Sequence, residues 1–342
     1  MIFYKGRLKT ISYHIMKKQL FILSLLLAAT LLSLMLGLAW GSKPLTLADV
    51  WQYFTRPGQS YADLVIAHRI PRTLAAWLCG GALGLAGALM QGLTRNPLGD
   101  SGLLGINTGA AAAIVLTAFF PAAAAVSSYW PAIGGALLTA LLVCLLGLTG
   151  RAENHSRLIL AGASVSACLG AFVNAVSQVN IRTFDFLRFW ASGSFGGVGF
   201  ADLTKFLPFF IPAALLGLAL GKFVNIIALD KHVARSLGAN VVAIQSLVLI
   251  AVAVLSAASV ALAGPIGFVG LAAAHLSRRW TGNDYRFLLP AGLLSGGSLL
   301  LLADILARLV LAPDEIATGI MTALLGAPIL YIMVMRGAKG QS

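Results

Sequence analysis

Charge is the scarcest feature of this sequence. Of 342 residues, 24 are Lys or Arg and only 11 are Asp or Glu, while 59% are apolar and the mean hydropathy is +0.90. Soluble domains are about one quarter charged, so this composition argues against a water-soluble enzyme. The apolar excess equally excludes a disordered chain. Cysteine is thin as well: Cys79, Cys144 and Cys168 lie in apolar runs without Cys-x-x-Cys pairing, so neither a disulfide framework nor a zinc site is supported. The histidines (His14, His68, His155, His232, His275) lack ligand spacing, and no metal site is assigned. No Gly-x-x-x-x-Gly-Lys-Ser/Thr, His-Glu-x-x-His or Gly-x-Ser-x-Gly occurs, so ATP binding by a phosphate loop, metalloproteolysis and serine hydrolysis lack their signatures. No catalytic residue and no directly bound cofactor are expected.

What the sequence has is long charge-free runs. A membrane-crossing helix needs about 20 residues. Residues 20–40, 73–94, 158–181, 206–229, 287–303 and 316–335 supply one span each. Residues 101–150 and 236–277 are double length, broken at Pro121 to Pro131 and at Ala263-Gly264-Pro265-Ile266-Gly267. Ten spans follow, in an all-α polytopic protein. The first run is nearer a spanning helix than the shorter core of a cleavable signal peptide. This divides the chain into an N-terminal segment 1–19, a membrane domain 20–335 and a tail 336–342.

An even number of spans puts both termini on one side, and Lys5, Arg7, Lys9, Lys17 and Lys18 mark that side as cytoplasmic. The net charge of +13 would suggest nucleic acid in a soluble chain; here cytoplasmic loops explain it, and no nucleic-acid partner is expected. Eight basic residues then fall at the outer face, against the bias: Lys43, Arg56, Arg69, Arg72, Arg182, Arg188, Lys205 and Arg308. Arg69-Ile-Pro-Arg72-Thr-Leu opens the second span, with Pro71 suited to a helix start. Its arginines either snorkel to lipid phosphate or dock an acidic partner, and Arg308 extends the patch. Asp304 is the one acid well inside a span. Its spacing to Arg308 predicts an i,i+4 ion pair in preference to a proton relay.

Two cytoplasmic loops stand out. Asn96-Pro97-Leu98-Gly99-Asp100 is strong turn chemistry between two spans. In the loop 228–240, Asp230 suits an N-cap, Val233, Ala234 and Leu237 form an apolar stripe, and Gly238 suits a C-cap. That short amphipathic helix either lies on lipid or fits a partner's groove. On the fifth span, Ser164, Cys168, Ala171, Ala175 and Gln178 share one face, read equally as tight helix packing or as the lining of a path.

These segments, with Gly87-Ala-Leu-Met-Gln91, Gly102-Leu-Leu-Gly105, Leu187-Arg-Phe-Trp190, Leu288-Leu-Pro290 and the stretch from Thr322 to Pro328, resemble the FecCD-type permeases of ATP-binding-cassette importers for ferric siderophores, haem and cobalamin. The resemblance runs from about residue 69 to 336. It implies a type II importer permease in the bacterial inner membrane, working as a homodimer or heterodimer. Two ATPase subunits would carry the ATP and Mg, and a periplasmic binding protein would deliver the ligand. By this resemblance Arg69, Arg72 and Arg308 dock the binding protein. Asp230, Val233, Ala234, Arg235, Ser236, Leu237 and Gly238 couple to the ATPase, and Asn96, Pro97 and Leu98 lie near the cytoplasmic gate. A ferric siderophore is the expected substrate, with haem or cobalamin as the alternative within the family and a proton-coupled carrier as the alternative outside it. The chain departs from the family at Ala274, where most relatives have proline, and a straighter eighth span is expected there.

Overall fold

The computed structural model describes residues 2–56, 58, 60–117, 127–148, 155–179, 181–229, 231–236 and 238–339. Among them no strand occurs. The helices are α1 (Ile2–Ala39), α2 (Leu47–Thr55), α3 (Tyr61–Thr94), α4 (Ile106–Thr117), α5 (Tyr129–Leu148), α6 (His155–Val179) and α7 (Ile181–Ala191). They continue as α8 (Phe200–Ala219), α9 (Gly221–Leu229), α10 (Lys231–Ser236), α11 (Val241–Ala263), α12 (Val269–Thr281), α13 (Tyr285–Leu309) and α14 (Thr318–Lys339). A 3₁₀ turn, Ser101–Leu104, precedes α4. Among the described residues seven helices are long and apolar enough to cross a membrane, within α1, α3, α5, α6, α8, α11 and α13. Shorter apolar helices cover Ile106–Thr117 and Thr318–Tyr331.

The antiparallel pair α3 and α13 forms the most extensive helix contact. Lipid tails are as apolar as leucine, so helices in a membrane associate by close packing of small residues. Here Gly80 and Gly84 lie directly against Gly296 and Gly292, and a Cβ on Gly84 would overlap the Gly292 carbonyl. The same helix brings Gly87 onto the backbone of Gly270 at the start of α12. Leucines on the outer faces of α1 and α5, such as Leu25, Leu31, Leu138 and Leu145, are exposed. That pattern fits a lipid-facing surface.

Pro71 does not open the second span. A capping box does: the Asp63 amide donates to Ser60 Oγ at 3.2 Å, and the Ser60 amide donates to the Asp63 carboxylate at 2.9 Å. The helix therefore begins ten residues before Pro71, which lies inside it. At 1.5 Å per residue, 34 residues extend about 51 Å, well beyond the roughly 30 Å hydrocarbon. Arg69 and Arg72 consequently sit more than two turns down a continuous helix rather than at its mouth.

The break in the run 236–277 falls at the expected segment, between α11 and α12. Its second half is a 13-residue helix preceded by non-helical chain at 264–268. Close backbone packing surrounds that chain: Gly193 and Gly319 lie against the Pro265 carbonyl and Gly264 lies against the Trp190 carbonyl, while the Ser194 amide donates to the carbonyl of Ala263, the last residue of α11, at 2.8 Å. Ala274 is fully buried, and α12 continues through it to Thr281.

Candidate functional site

The two ends of the bundle carry different chemistry. α1, α11 and α13 finish at one end, and α3, α8 and α14 start there. At this end lies a cavity of about 1010 Å³ bounded by Lys43, Tyr61, His68, Arg69, Arg72, Gly196, Phe200, Arg308 and Glu315. It contains the three arginines singled out from the sequence, but they are not surface charges. Arg69, Arg72 and Arg308 are all buried, Arg308 almost completely.

Each has a different set of partners. Arg69 Nη1 donates to the carbonyls of Leu38 (3.0 Å) and Ala39 (2.9 Å), and its Nη2 donates to Lys43 (2.6 Å). It thereby satisfies the free carbonyls at the end of α1, where a cation also meets the negative end of the helix dipole. Arg72 donates to fully buried Asp304 through Nε (3.2 Å) and Nη2 (2.9 Å), and through Nη1 to Glu315 at 2.6 Å. Arg308 Nε lies 3.1 Å from Asp304 Oδ2, the oxygen that Arg72 Nε also reaches, and its Nη1 donates to the Gly37 carbonyl at 3.1 Å. Thr318, the first residue of α14, donates to Asp304 at 2.9 Å.

The expected i,i+4 pair of Asp304 and Arg308 is present, and the carboxylate is salt-bridged. Asp304 is the hub: it joins α3, α13 and α14 in one knot. Lys43, Arg69, Arg72 and Arg308 stand beside the cavity against the carboxylates of Asp304 and Glu315, so positive charge is in surplus there. Arg308 Nη2 has no hydrogen-bond partner among the described residues.

The opposite end carries the two loops. At the first, Asn96 Oδ1 accepts from the Leu98 amide at 2.9 Å, the Asx turn that Asn-Pro favours. Pro97 and Leu98 are exposed. Arg95, in the left-handed conformation that ends α3, donates to the Ile227 carbonyl at 2.6 Å and ties this turn to α9. Burial pushes the carboxyl of Asp100, the cap of the 3₁₀ turn, above its ordinary range.

The second loop is built around α10. Gly238 at φ +75° donates to Arg235, and Ala239 donates to Ala234, the paired bonds of a Schellman C-cap. Asp230 and Leu237 lie outside the described residues. Val233 is 47% exposed, whereas Ala234 is fully buried. The apolar stripe is therefore split. Ala234 packs into this chain, and Val233 is presented outward together with the exposed residues Arg235 and Ser236.

Between the end of α3, α9 and the start of α13 is a second cavity of about 720 Å³, reached by Gln91, Arg95, Pro97, Asn225, Arg278 and Asp284. No sequence pattern joins these residues, which lie up to 193 positions apart along the chain (Gln91 to Asp284). Asn225 donates to Asp284 at 2.7 Å and accepts from the Tyr285 amide at 2.8 Å, locking α9 to the start of α13. The Arg286 guanidinium holds the Asp284 carboxyl at about 2, well below its ordinary value, with the Asn225 amide assisting. The only local hint was Asn283-Asp284 ahead of an apolar run, a helix start by turn chemistry.

On α6, Ser164, Cys168, Ala171, Ala175 and Gln178 are all exposed. The face predicted from helical spacing exists, and it is turned away from the chain's own core. α6 is the least buried of the seven long helices. Among the described residues no cluster of His, Cys, Asp or Glu fits a metal ion.

A model of the FecCD transport family matches residues 25–336. The chain is 41% identical over 326 residues to the ferric enterobactin transport system permease protein FepD of Escherichia coli K12, covering 93% of this chain and 95% of that protein. It is 36% identical over 311 residues to the hemin transport system permease protein HmuU of Yersinia pestis, covering 88% and 91%. Among solved structures it is similar to an inward-facing metal-chelate type ABC transporter, with TM-score 0.79 and 28% identity, over 93% of this chain and 99% of that one.

Proposed function

The chain belongs to the FecCD transport family, and from that premise we propose that it is the membrane subunit through which an ATP-binding-cassette importer takes up a ferric siderophore. The observation that carries the substrate is the 41% identity, over nearly the whole chain, to a ferric enterobactin permease. The lower identity to a hemin permease keeps haem as the second reading. Iron here is cargo wrapped in its chelator, so the permease needs no metal ligands of its own.

In this reading the seven long helices, the two short apolar ones and α12 make ten passes through the bacterial inner membrane, with both termini in the cytoplasm. The arginine end faces the periplasm. A binding protein docks there by sending carboxylates into the cavity of Arg69, Arg72 and Arg308, since arginines so deeply buried cannot be met on a flat rim. At the other end α10 seats on an ATPase subunit that holds the ATP and Mg. The exposed Val233 and Arg235 contact that subunit directly, and buried Ala234 fixes the angle at which they are held. The turn at Asn96, Pro97 and Leu98 borders the cytoplasmic gate. The exposed face of α6, with Ser164, Cys168, Ala171, Ala175 and Gln178, lines the path once a second permease subunit covers it.

A panel of labelled iron compounds tests the substrate. Cells relying on this permease, with its ATPase and binding protein, should accumulate iron from a ferric siderophore such as enterobactin and not from hemin. Uptake of hemin alone would overturn the siderophore assignment and leave the family unchanged.

A further inference from the structure

The ion pairs at the arginine end are unequal in a way that bears on docking. Asp304 is fully buried and takes bonds from Arg72, Arg308 and Thr318, so no incoming group can replace it. Arg69 spends its donors on backbone carbonyls that stay in place. Arg72 has one edge left, Nη1, and Glu315 occupies it at 2.6 Å. Glu315 differs from Asp304 in every respect that matters. Its side chain is 34% exposed, it borders the cavity, and it sits on the connection between α13 and α14 rather than within a helix. A carboxylate arriving through the cavity meets that edge of Arg72 already filled.

The geometry points to Glu315 as an exchangeable placeholder: the intramolecular carboxylate that a carboxylate of the docking binding protein must displace from Arg72. This rests on the docking reading above and adds a residue to that surface. Chemically the exchange is one charge-assisted hydrogen bond for another, so its net gain is small. Glu315 then weakens the complex instead of building it, which favours release of the binding protein after delivery. The released Glu315 would also free the residues leading into α14, whose first turn hangs on Asp304 through Thr318.

The test measures affinity of the chelate-loaded cognate binding protein for the permease–ATPase complex in lipid nanodiscs, at low and at high salt. Glu315→Gln should tighten binding about tenfold at low salt, because the amide competes weakly for a guanidinium. Glu315→Asp, with its shorter reach, should fall between. Asp314→Asn removes the same charge one residue away and should change affinity little. Wild-type affinity that does not weaken with salt overturns the docking reading and the placeholder with it. Salt-dependent affinity with Glu315→Gln unchanged or weaker overturns the placeholder alone. So does an Asp314→Asn variant that tightens binding as much as Glu315→Gln.

Discussion

Replacing Asp304 by asparagine tests the ion-pair knot where it carries most. In the sequence Asp304 stands as the accessory of Arg308, four residues away. In the fold it serves two buried guanidinium groups, and it is fully inaccessible. Asparagine keeps one acceptor for Arg72 or Thr318, but it removes the charge and turns an NH₂ toward donors. Arg308 would be left with no carboxylate, because Glu315 is engaged with Arg72. Breaking a buried pair on one side costs about 3–5 kcal/mol. With one acceptor retained, the lower end applies, about 3 kcal/mol, or roughly a hundredfold in the folded-to-unfolded ratio. The assay is thermal unfolding of the purified protein in nanodiscs, where Asp304→Asn should melt about 5 °C or more below wild type. Adding Arg308→Gln to Asp304→Asn should restore part of the loss, since the orphaned cation goes too. Wild-type melting of Asp304→Asn would refute the reasoning, because it would mean the site is indifferent to the charge.

Other positions give independent checks. Val233→Asp on α10 should leave expression and melting unchanged but abolish ATP-dependent uptake, whereas Ala234→Asp should fail to fold, because a charge at that buried site has no partner; equal behaviour of the two variants would contradict the split stripe. Gly84→Ala should destabilise by about 1–3 kcal/mol, because its Cβ meets the Gly292 carbonyl, while Gly134→Ala on α5, with open space around it, should be neutral or slightly stabilising in the same melt. Asp284→Asn should lower the melting temperature at pH 7. Because the native carboxyl is depressed to about 2 from its ordinary 3.8, its contribution is complete above about pH 4 and is lost as pH falls toward 2. The gap between wild type and variant should close over that window, and a gap independent of pH would contradict the assignment.

The helical class, the break between α11 and α12, the Asx turn at Asn96 and the C-cap at Gly238 were legible because each is written in adjacent residues. So was the pairing of Asp304 with Arg308, which needs only helical spacing. The start of α3 was misplaced: Pro71 beside an apolar run reads as a helix start, yet Ser60 and Asp63 had already begun the helix. The burial of Arg69 and Arg72 has no local signal, since their partners lie 26 or more positions away along the chain. Arg72 reaches Asp304 across 232 positions and Glu315 across 243. Arg69 is bound to carbonyls, which carry no sequence signal. The stripe on α10 shows the same limit, because periodicity finds an apolar face but cannot say which part of it the rest of the chain covers.

In the proposed function, iron chelate crosses the membrane through this chain at the expense of ATP held by a partner. Reconstitution of the permease with its ATPase and binding protein into liposomes tests it most directly, by following labelled ferric enterobactin into the lumen. Accumulation should require ATP on the α10 side, require the binding protein on the arginine side, and be unaffected by a protonophore. Accumulation that proceeds without ATP and collapses when the proton gradient is dissipated would contradict it.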